Sequence, residues 1–452
     1  MARNPIVLIH GYSDRGESFE VWKRALESRG YDVATIHACS YKTLTNEVTI
    51  KDIAEGFDRA LRLQVGLDNN EPFDVVVHST GMLVIRAWLA RYAQRRGRLK
   101  HLIALAPATF GAPLAHKGRS WLGAMLKGNR DFGPDFLEAG DQVLDGLELA
   151  SRFTWDLAHQ DILAEPPFYG ANADTPYVFI FCGTAGYSGL RGLVNEPGTD
   201  GTVRWAGCAL SSRKVILDLT REPDLAPGQE RIRFEPWRNA AITLTPIEAL
   251  NHGTIMSQPS KPLINLVDRA LQVSDVRGLD AWQASAAEQT QATRDSMEQW
   301  QQFVFRAVDE RGDPITDYNI QLFGGAPGAL RPLEAFDLDV HAYRADPSLR
   351  CFHVRHNDFA GTPLESLELH LLVSSGTALI GYYGSIGGQP DALPDGADPR
   401  GWWEGRFNLS DLLAHADGRF FYPFTTTLVE MRLNREPLPL DPTKPTQVLG
   451  WL

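Results

Sequence analysis

The sequence predicts an α/β domain on a mostly parallel sheet, followed by an all-β, sandwich-like domain. Three observations predict it. Short apolar runs alternate with amphipathic stretches through the first part of the chain, a polar segment follows, and short alternating runs separated by turn clusters close it.

The elements follow in order. Ile6–Ile9 is a buried strand, and Ser18–Ser28 carries apolar residues at helical spacing. A second strand is expected at Asp32–Ile36 and a second helix at Val48–Leu63, where Ile50, Ile53, Ala54, Phe57, Ala60 and Leu61 mark one face. Val75–Val77 and Leu102–Ala106 read as central strands flanking a helix, Met82–Tyr92. Residues 107–176 interrupt the alternation with a helical stretch from Gln142 to Ala158, the size of a cap or lid over the C-terminal edge of the sheet. Tyr177–Cys182 resumes the sheet, Ala240–Leu244 is its expected last strand, and Pro262–Leu271 is a closing helix. These elements set a first domain at 1–273. Gln, Ala, Glu and Ser dominate residues 280–299, so 274–298 reads as a polar linker or solvated helix. From 299 to 452 the runs are short and alternating, for example Phe303–Val308, Leu367–Val373 and Leu428–Leu433.

The chain has 452 residues, and 44 Lys+Arg against 56 Asp+Glu give a net charge of −12. That balance argues against a nucleic-acid partner, which calls for a basic face. Apolar runs stay below the roughly 18 residues that span a bilayer. The four cysteines, Cys39, Cys182, Cys208 and Cys351, lack CxxC spacing and read as reduced structural thiols, which favours a cytoplasmic protein. Ile6–Ile9 is too short for the apolar core of a signal peptide. Export without a leader, or after removal of one, is the alternative.

The chemistry concentrates at Asp74-Val75-Val76-Val77-His78-Ser79-Thr80-Gly81. A β-branched strand ends abruptly at a serine and a helix starts beside it, the setting of a nucleophile elbow. Such a turn exposes Ser79 Oγ and puts the Thr80 N–H at the helix start, where an oxyanion would form. The segment departs from G-x-S-x-G, because Val77 stands where the first glycine belongs. Two late loops, Asn195–Val203 and Asn251–Ile255, follow predicted strands and give the order Ser79…Asp200…His252. That is the nucleophile–acid–base order of a hydrolytic triad.

On these residues the chain resembles α/β-hydrolases of the bacterial lipase/esterase type, from residue 5 to about 273. The segment Ala106–Ala115 adds to the likeness, since it resembles the small-residue stretch that leads into the cap of bacterial lipases. The resemblance implies Ser79 as nucleophile, His252 as base and Asp200 as acid, with Tyr12, just after His10-Gly11, giving the second oxyanion amide beside Thr80. Glu196 is the nearest rival acid, with Asp218 and Asp224 behind it. His78 and His10 are expected to pack rather than react. The scheme needs neither metal nor cofactor.

In the cap, Trp121, Leu122, Met125, Leu126, Phe132, Phe136 and Leu137 either line an acyl pocket or form the cap's own small core. A carboxylic ester with a medium or long acyl chain is the expected substrate. A phospholipid is the nearest variant, including the case of a secreted antibacterial lipolytic effector. Thioesters and amides use the same machinery, and a non-catalytic binding scaffold is the reading of another class. The β-domain would contact a lipid surface, mediate oligomerisation or buttress the cap. Cys351 and His353 share one strand face while His356 falls on the other, which disfavours a metal site, and Asp337, Asp339 and Asp346 read as scattered surface carboxylates. Trp402-Trp403 and Phe420–Tyr422 read as core or an interdomain contact.

Overall fold

The computed structural model describes residues 3–11, 19–35, 47–64, 67, 71–113, 141–170, 174–189, 192, 195–222, 231–336, 340–342, 345–359, 364–384, 402–414, 420–438, 441 and 443–444. Tyr12, Cys39, Asp224, Asp337, Asp339 and the cap residues Trp121, Leu122, Met125, Leu126, Phe132, Phe136 and Leu137 lie outside the described residues. The chain forms two compact units, Met1–Ser212 with Trp237–Glu298, and Arg213–Pro236 with Gln299–Leu452.

The first unit is built on strands β1 (Ile6–Ile9), β2 (Val33–Thr35), β3 (Phe73–His78), β4 (Leu99–Leu105), β5 (Tyr177–Gly183) and β8 (Leu244–Ile247), with β6 (Ser212–Asp218) and β7 (Ile232–Phe234) belonging to the second unit. They form one six-stranded sheet in the order β2-β1-β3-β4-β5-β8, paired in parallel throughout. β1 and β3 are buried along their whole length, as near-continuous apolar strands of a parallel sheet must be. The order reverses at β1, so the C-terminal ends of β1 and β3 border a switch point, where such sheets place ligands. Helices α1 (Glu20–Glu27), α2 (Ile50–Leu63) and α3 (Gly81–Arg91) connect the first strands. α2 begins on a capping box: Asp52 N–H donates to Thr49 Oγ1, and Thr49 N–H donates to an Asp52 carboxylate oxygen. In the region expected as a cap, the described helices are α4 (Asp141–Leu147) and α5 (Arg152–Gln160).

The end of this unit differs from expectation at its last strand. The last strand runs over Leu244–Ile247, a few residues beyond the expected 240–244, because residues 239–241 turn. After α6 (Lys261–Ala270), the polar segment forms one helix, α7 (Val276–Ser296). It is anchored to the first unit by Trp282, which meets Phe179 edge-on at 4.5 Å and donates its indole N–H to Leu266 O.

The second unit contains β6 (Ser212–Asp218), β7 (Ile232–Phe234), β9 (Trp300–Asp309), β10 (Asp317–Ala326), β11 (Ala329–Pro332), β12 (Val340–Ala342), β13 (Leu349–Arg355), β14 (Ser366–Ser374), β15 (Ile380–Tyr383), β16 (Trp402–Asn408) and β17 (Thr426–Pro437). One sheet runs β11-β10-β14-β16, the other β12-β13-β9-β17-β6-β7, with β15 joined to β17. Ile320 and Leu369 from one sheet and Phe303, Phe305 and Val429 from the other share a single core, a sandwich arrangement. The expected contiguous domain to residue 273 did not foresee that 213–236 leaves the first unit to complete this sheet.

That excursion is tied in by charge. Lys214 Nζ lies 2.7 Å from Glu430 Oε2, and Arg432 donates twice to the other oxygen. Burial alone would raise the Glu430 pKa, but Lys214 and then Arg432 outweigh it and hold the group at about 2. A depressed carboxyl stabilises the fold above its unfolded pKa and loses that contribution as pH falls toward its folded one. Glu430→Gln should therefore cost about 2–4 kcal/mol at neutral pH. Denaturant titrations at a series of pH values should show the gap to wild type closing from about pH 4.5 toward 2.

Candidate active site

The register of the central strands assembles the site. Leu8 pairs with Val76 and Ile9 with Val77, so the residues that follow, His10-Gly11 and His78-Ser79, emerge side by side. Ser79 turns with φ +53°, a left-handed conformation uncommon for a residue with a side chain, and α3 starts two residues later. The turn is held by Ser79 N–H to Leu105 O, Met82 N–H to Ser79 O and Ala108 N–H to Ser79 O. The Thr80 amide stands at the entry of α3, where it can meet an anion.

Two glycines permit this approach. A Cβ at Gly81 would lie 2.8 Å from Ile9 O, and one at Gly11 would lie 2.9 Å from Ser79 Cβ. Val77, the departure from the glycine pattern, sits inside β3 between Ile9 and the small Ala104, where a side chain fits.

His252 follows β8 in a turn shaped by Asn251, whose side-chain oxygen accepts the Gly253 and Thr254 amides. Its Nε2 is 3.0 Å from Ser79 Oγ, and its Nδ1 is 3.0 Å from Asp200 Oδ2. A carboxylate can only accept, so Nδ1 carries the hydrogen and Nε2 is free to accept from the hydroxyl. The second oxygen, Asp200 Oδ1, accepts the Thr202 and Val203 amides at 3.0 and 2.8 Å, and Asp200 O accepts the His252 N–H. Asp200 and His252 are buried, whereas Ser79 is partly exposed. The loop carrying Asp200 is pinned by Asn195, which bonds both ways with the Tyr187 backbone, and by Tyr187 OH on Thr202 Oγ1.

Thus Ser79, His252 and Asp200 form one hydrogen-bonded chain. Glu196 instead lies 3.6 Å from Arg204, and Asp218 is engaged by Thr220 and Arg221 in the second unit. His10 is buried beside the site, with Nδ1 on Gly11 O.

Some neighbours escaped the sequence reading. Arg86 on α3 is buried and grips Asp161 through Nε and Nη2 at 2.7 and 2.9 Å, while its third nitrogen donates to Thr109 O. Tyr169 OH completes the cluster on Asp161. The signal was a lone arginine in an otherwise apolar helix, M-L-V-I-R-A-W-L. Cys182 and Cys208 are free thiols with sulfurs 3.7 Å apart, directly behind Asp200, a pairing that no spacing announces.

Among the described residues no group of three His, Cys, Asp or Glu side chains is arranged for a metal. Cys351 is buried, His353 stacks on Trp300, His356 bonds Gln301, and Asp346 caps Ser348. No helix among the described residues is long and apolar enough to cross a membrane.

Residues 4–176 match the family model described as alpha/beta hydrolase fold. The structure of phospholipase PlaB from Legionella pneumophila is similar to this chain at TM-score 0.75 and 21% identity, covering 97% of this chain and 94% of that one. PlaB in complex with thio-NAD matches at TM-score 0.75 and 22% identity, with 96% and 94% covered. The mature Bacillus licheniformis lipase BlEst2 matches at TM-score 0.38 and 16% identity, over 59% of this chain and 92% of that one. No curated protein matches. The fold is that of the α/β-hydrolase superfamily, with a β-domain appended.

If the contact of Gly11 with Ser79 sets the geometry, Gly11→Ala should displace the elbow. Labelling of Ser79 by a fluorophosphonate should slow at least about tenfold, for a stability loss of about 1–3 kcal/mol. Mass spectrometry of the labelled peptide alongside a melting curve checks both.

Proposed function

We propose that the protein is a serine ester hydrolase acting on lipid carboxylic esters, with phospholipids as the favoured class. The observation that carries this reading is the chain Ser79 Oγ–His252–Asp200 on an elbow with its serine at positive φ.

In this scheme His252 Nε2 takes the proton of Ser79 as Oγ attacks the ester carbonyl. Asp200 holds the imidazole in the correct tautomer and stabilises the cation that forms. The Thr80 amide, with that of Tyr12 as the resemblance implies, receives the oxyanion, each donor lowering the barrier by about 3 kcal/mol. His252 then protonates the departing alkoxide, next takes a proton from the water that attacks the acyl carbonyl, and returns it to Ser79 Oγ as the carboxylic acid leaves. Each step uses a group of this chain as donor or acceptor, so the proton count closes.

Phospholipid is favoured over other lipid esters because the fold match to PlaB runs through both units rather than the hydrolase unit alone. Contact with a lipid surface is the role we assign to the β-domain on the same ground. The two unbridged thiols behind Asp200 suit a reducing compartment.

Ser79→Ala should abolish release of fatty acid from phospholipid vesicles and of p-nitrophenol from short esters, by at least about a thousandfold. Asp200→Asn should lose about a thousandfold or more, and Glu196→Gln should stay within about threefold of wild type. Retention of activity in Asp200→Asn with loss in Glu196→Gln would move the acid. Turnover of the short ester but not of vesicles would restrict the substrate class to soluble esters.

A further inference from the structure

A second imidazole lies against the hydrogen-bonded chain with no part in the scheme above. His78 ends β3, directly precedes Ser79, and is only 4% exposed. Its ring centroid is 4.7 Å from that of His252, and its Nε2 is 2.9 Å from the His252 carbonyl oxygen. A carbonyl only accepts, so Nε2 bears the hydrogen. The other nitrogen, Nδ1, is buried with no hydrogen-bond partner among the described residues, on the side where a Cβ at Gly11 would stand 3.3 Å away. A neutral imidazole satisfies this arrangement. A second proton would place a charge and an N–H where no described group accepts it.

We infer that His78 is a positioning residue, whose neutral Nε2–H holds the main chain of His252 and so fixes the imidazole between Ser79 and Asp200. The inference rests on the reading of those three residues as the catalytic group. The His252 backbone is then held on both sides: its N–H by Asp200 O and its C=O by His78. With the main chain clamped, the ring keeps both 3.0 Å contacts at little cost in orientation. Neutrality also matters to the reaction. When His252 gains the serine proton, a second cation 4.7 Å away would oppose it.

The surroundings keep His78 neutral. Burial first, and then the neighbouring His252, push its pKa well below the usual histidine range, against the opposing pull of the His252 carbonyl. His10, from the end of β1, acts in the same direction as His252, while the Asp200 carboxylate is engaged by His252 Nδ1 and the Thr202 and Val203 amides.

The test compares His78→Leu, His78→Gln and His78→Asn in the full-length protein. Gln brings an amide N–H to about the reach of Nε2, Asn stops short of it, and Leu fills the volume without a donor. We expect His78→Leu and His78→Asn to lose about 10–100-fold in kcat on a p-nitrophenyl ester, with KM within about threefold and fluorophosphonate labelling of Ser79 slowed in parallel. His78→Gln should recover to within about fivefold of wild type, and the acidic limb of kcat/KM should follow a single proton in wild type and in His78→Gln. Equal kcat in the Gln and Asn variants overturns the inference, even if the Leu variant does not fold. So does a two-proton limb in wild type that becomes one-proton in His78→Gln. The parent reading is judged separately: wild-type protein that neither turns over the ester nor labels, or Ser79→Ala that keeps activity, sinks the triad itself.

Discussion

The site depends on one steric constraint, the close approach of two strand ends across a parallel sheet. β1 and β3 pair in a register that leaves Gly11 and Ser79 in contact, and Gly81 packs on Ile9 O. Neither glycine position has room for a methyl group. A serine at φ +53° carries strain on the order of 1–3 kcal/mol, which persists only where the surroundings over-determine it. Here they do, since β3 is buried throughout and three backbone hydrogen bonds pin the turn. The partly exposed Ser79 hydroxyl is therefore held in place by the fully buried centre of the sheet.

Around that point Asp200, Arg86 and Asp161 each have partners matched to their chemistry, whereas His78 Nδ1 and Thr80 Oγ1 have none among the described residues. Asp200 divides its two oxygens between backbone amides and the imidazole, so neither faces apolar surroundings alone. Arg86 and Asp161 answer each other in the same way, joining α3 to the end of α5 and to Thr109. Removing either partner would leave a buried charge, so the cluster acts as a fixed strut for the helix that begins at the elbow. Sulfur completes the floor of the site, where Cys182 and Cys208 fill the space behind Asp200 without competing strongly for its oxygens.

How much of this was legible in the sequence depends on whether a signal is local. The elbow is local, since a β-branched strand, a serine and a helix follow within ten residues, and the Ser–Asp–His order needs only the chain direction. The last strand was misplaced because the apolar run Ala240–Leu244 offered the strand signal, whereas the strand itself, Leu244–Ile247, contains Pro246. Pro246 is tolerated because β8 is the edge of the sheet, where a missing N–H leaves no ladder bond unmade. β6 was missed for the opposite reason: Arg213 and Lys214 make S-R-K-V-I-L-D read as surface, and the partner that lets Lys214 be buried, Glu430, lies 216 residues away. Only folding brings such a pair together, so no local pattern can announce it. α7 read as solvated because its anchors are few and scattered, chiefly the Trp282 indole, Ala286, and the Gln283 and Arg294 side chains on the Ala241 and Leu244 carbonyls.

The path of the chain then argues against cutting the protein at its polar helix. From the loop that carries Asp200 the chain enters the second unit after Ser212, returns at Trp237 just before β8 and His252, and leaves again after Glu298. A fragment ending at 298 would keep β6 and β7 but lose β17 and β9, the strands that continue their sheet. Lys214 would lose Glu430, and Val215 and Leu217 would lose the core they fill. An apolar strand with an open edge, inserted between the Asp200 and His252 loops, favours misfolding and aggregation. The two units are therefore coupled by connectivity, and the first unit depends on the second for the segment that separates its Asp200 and His252 loops.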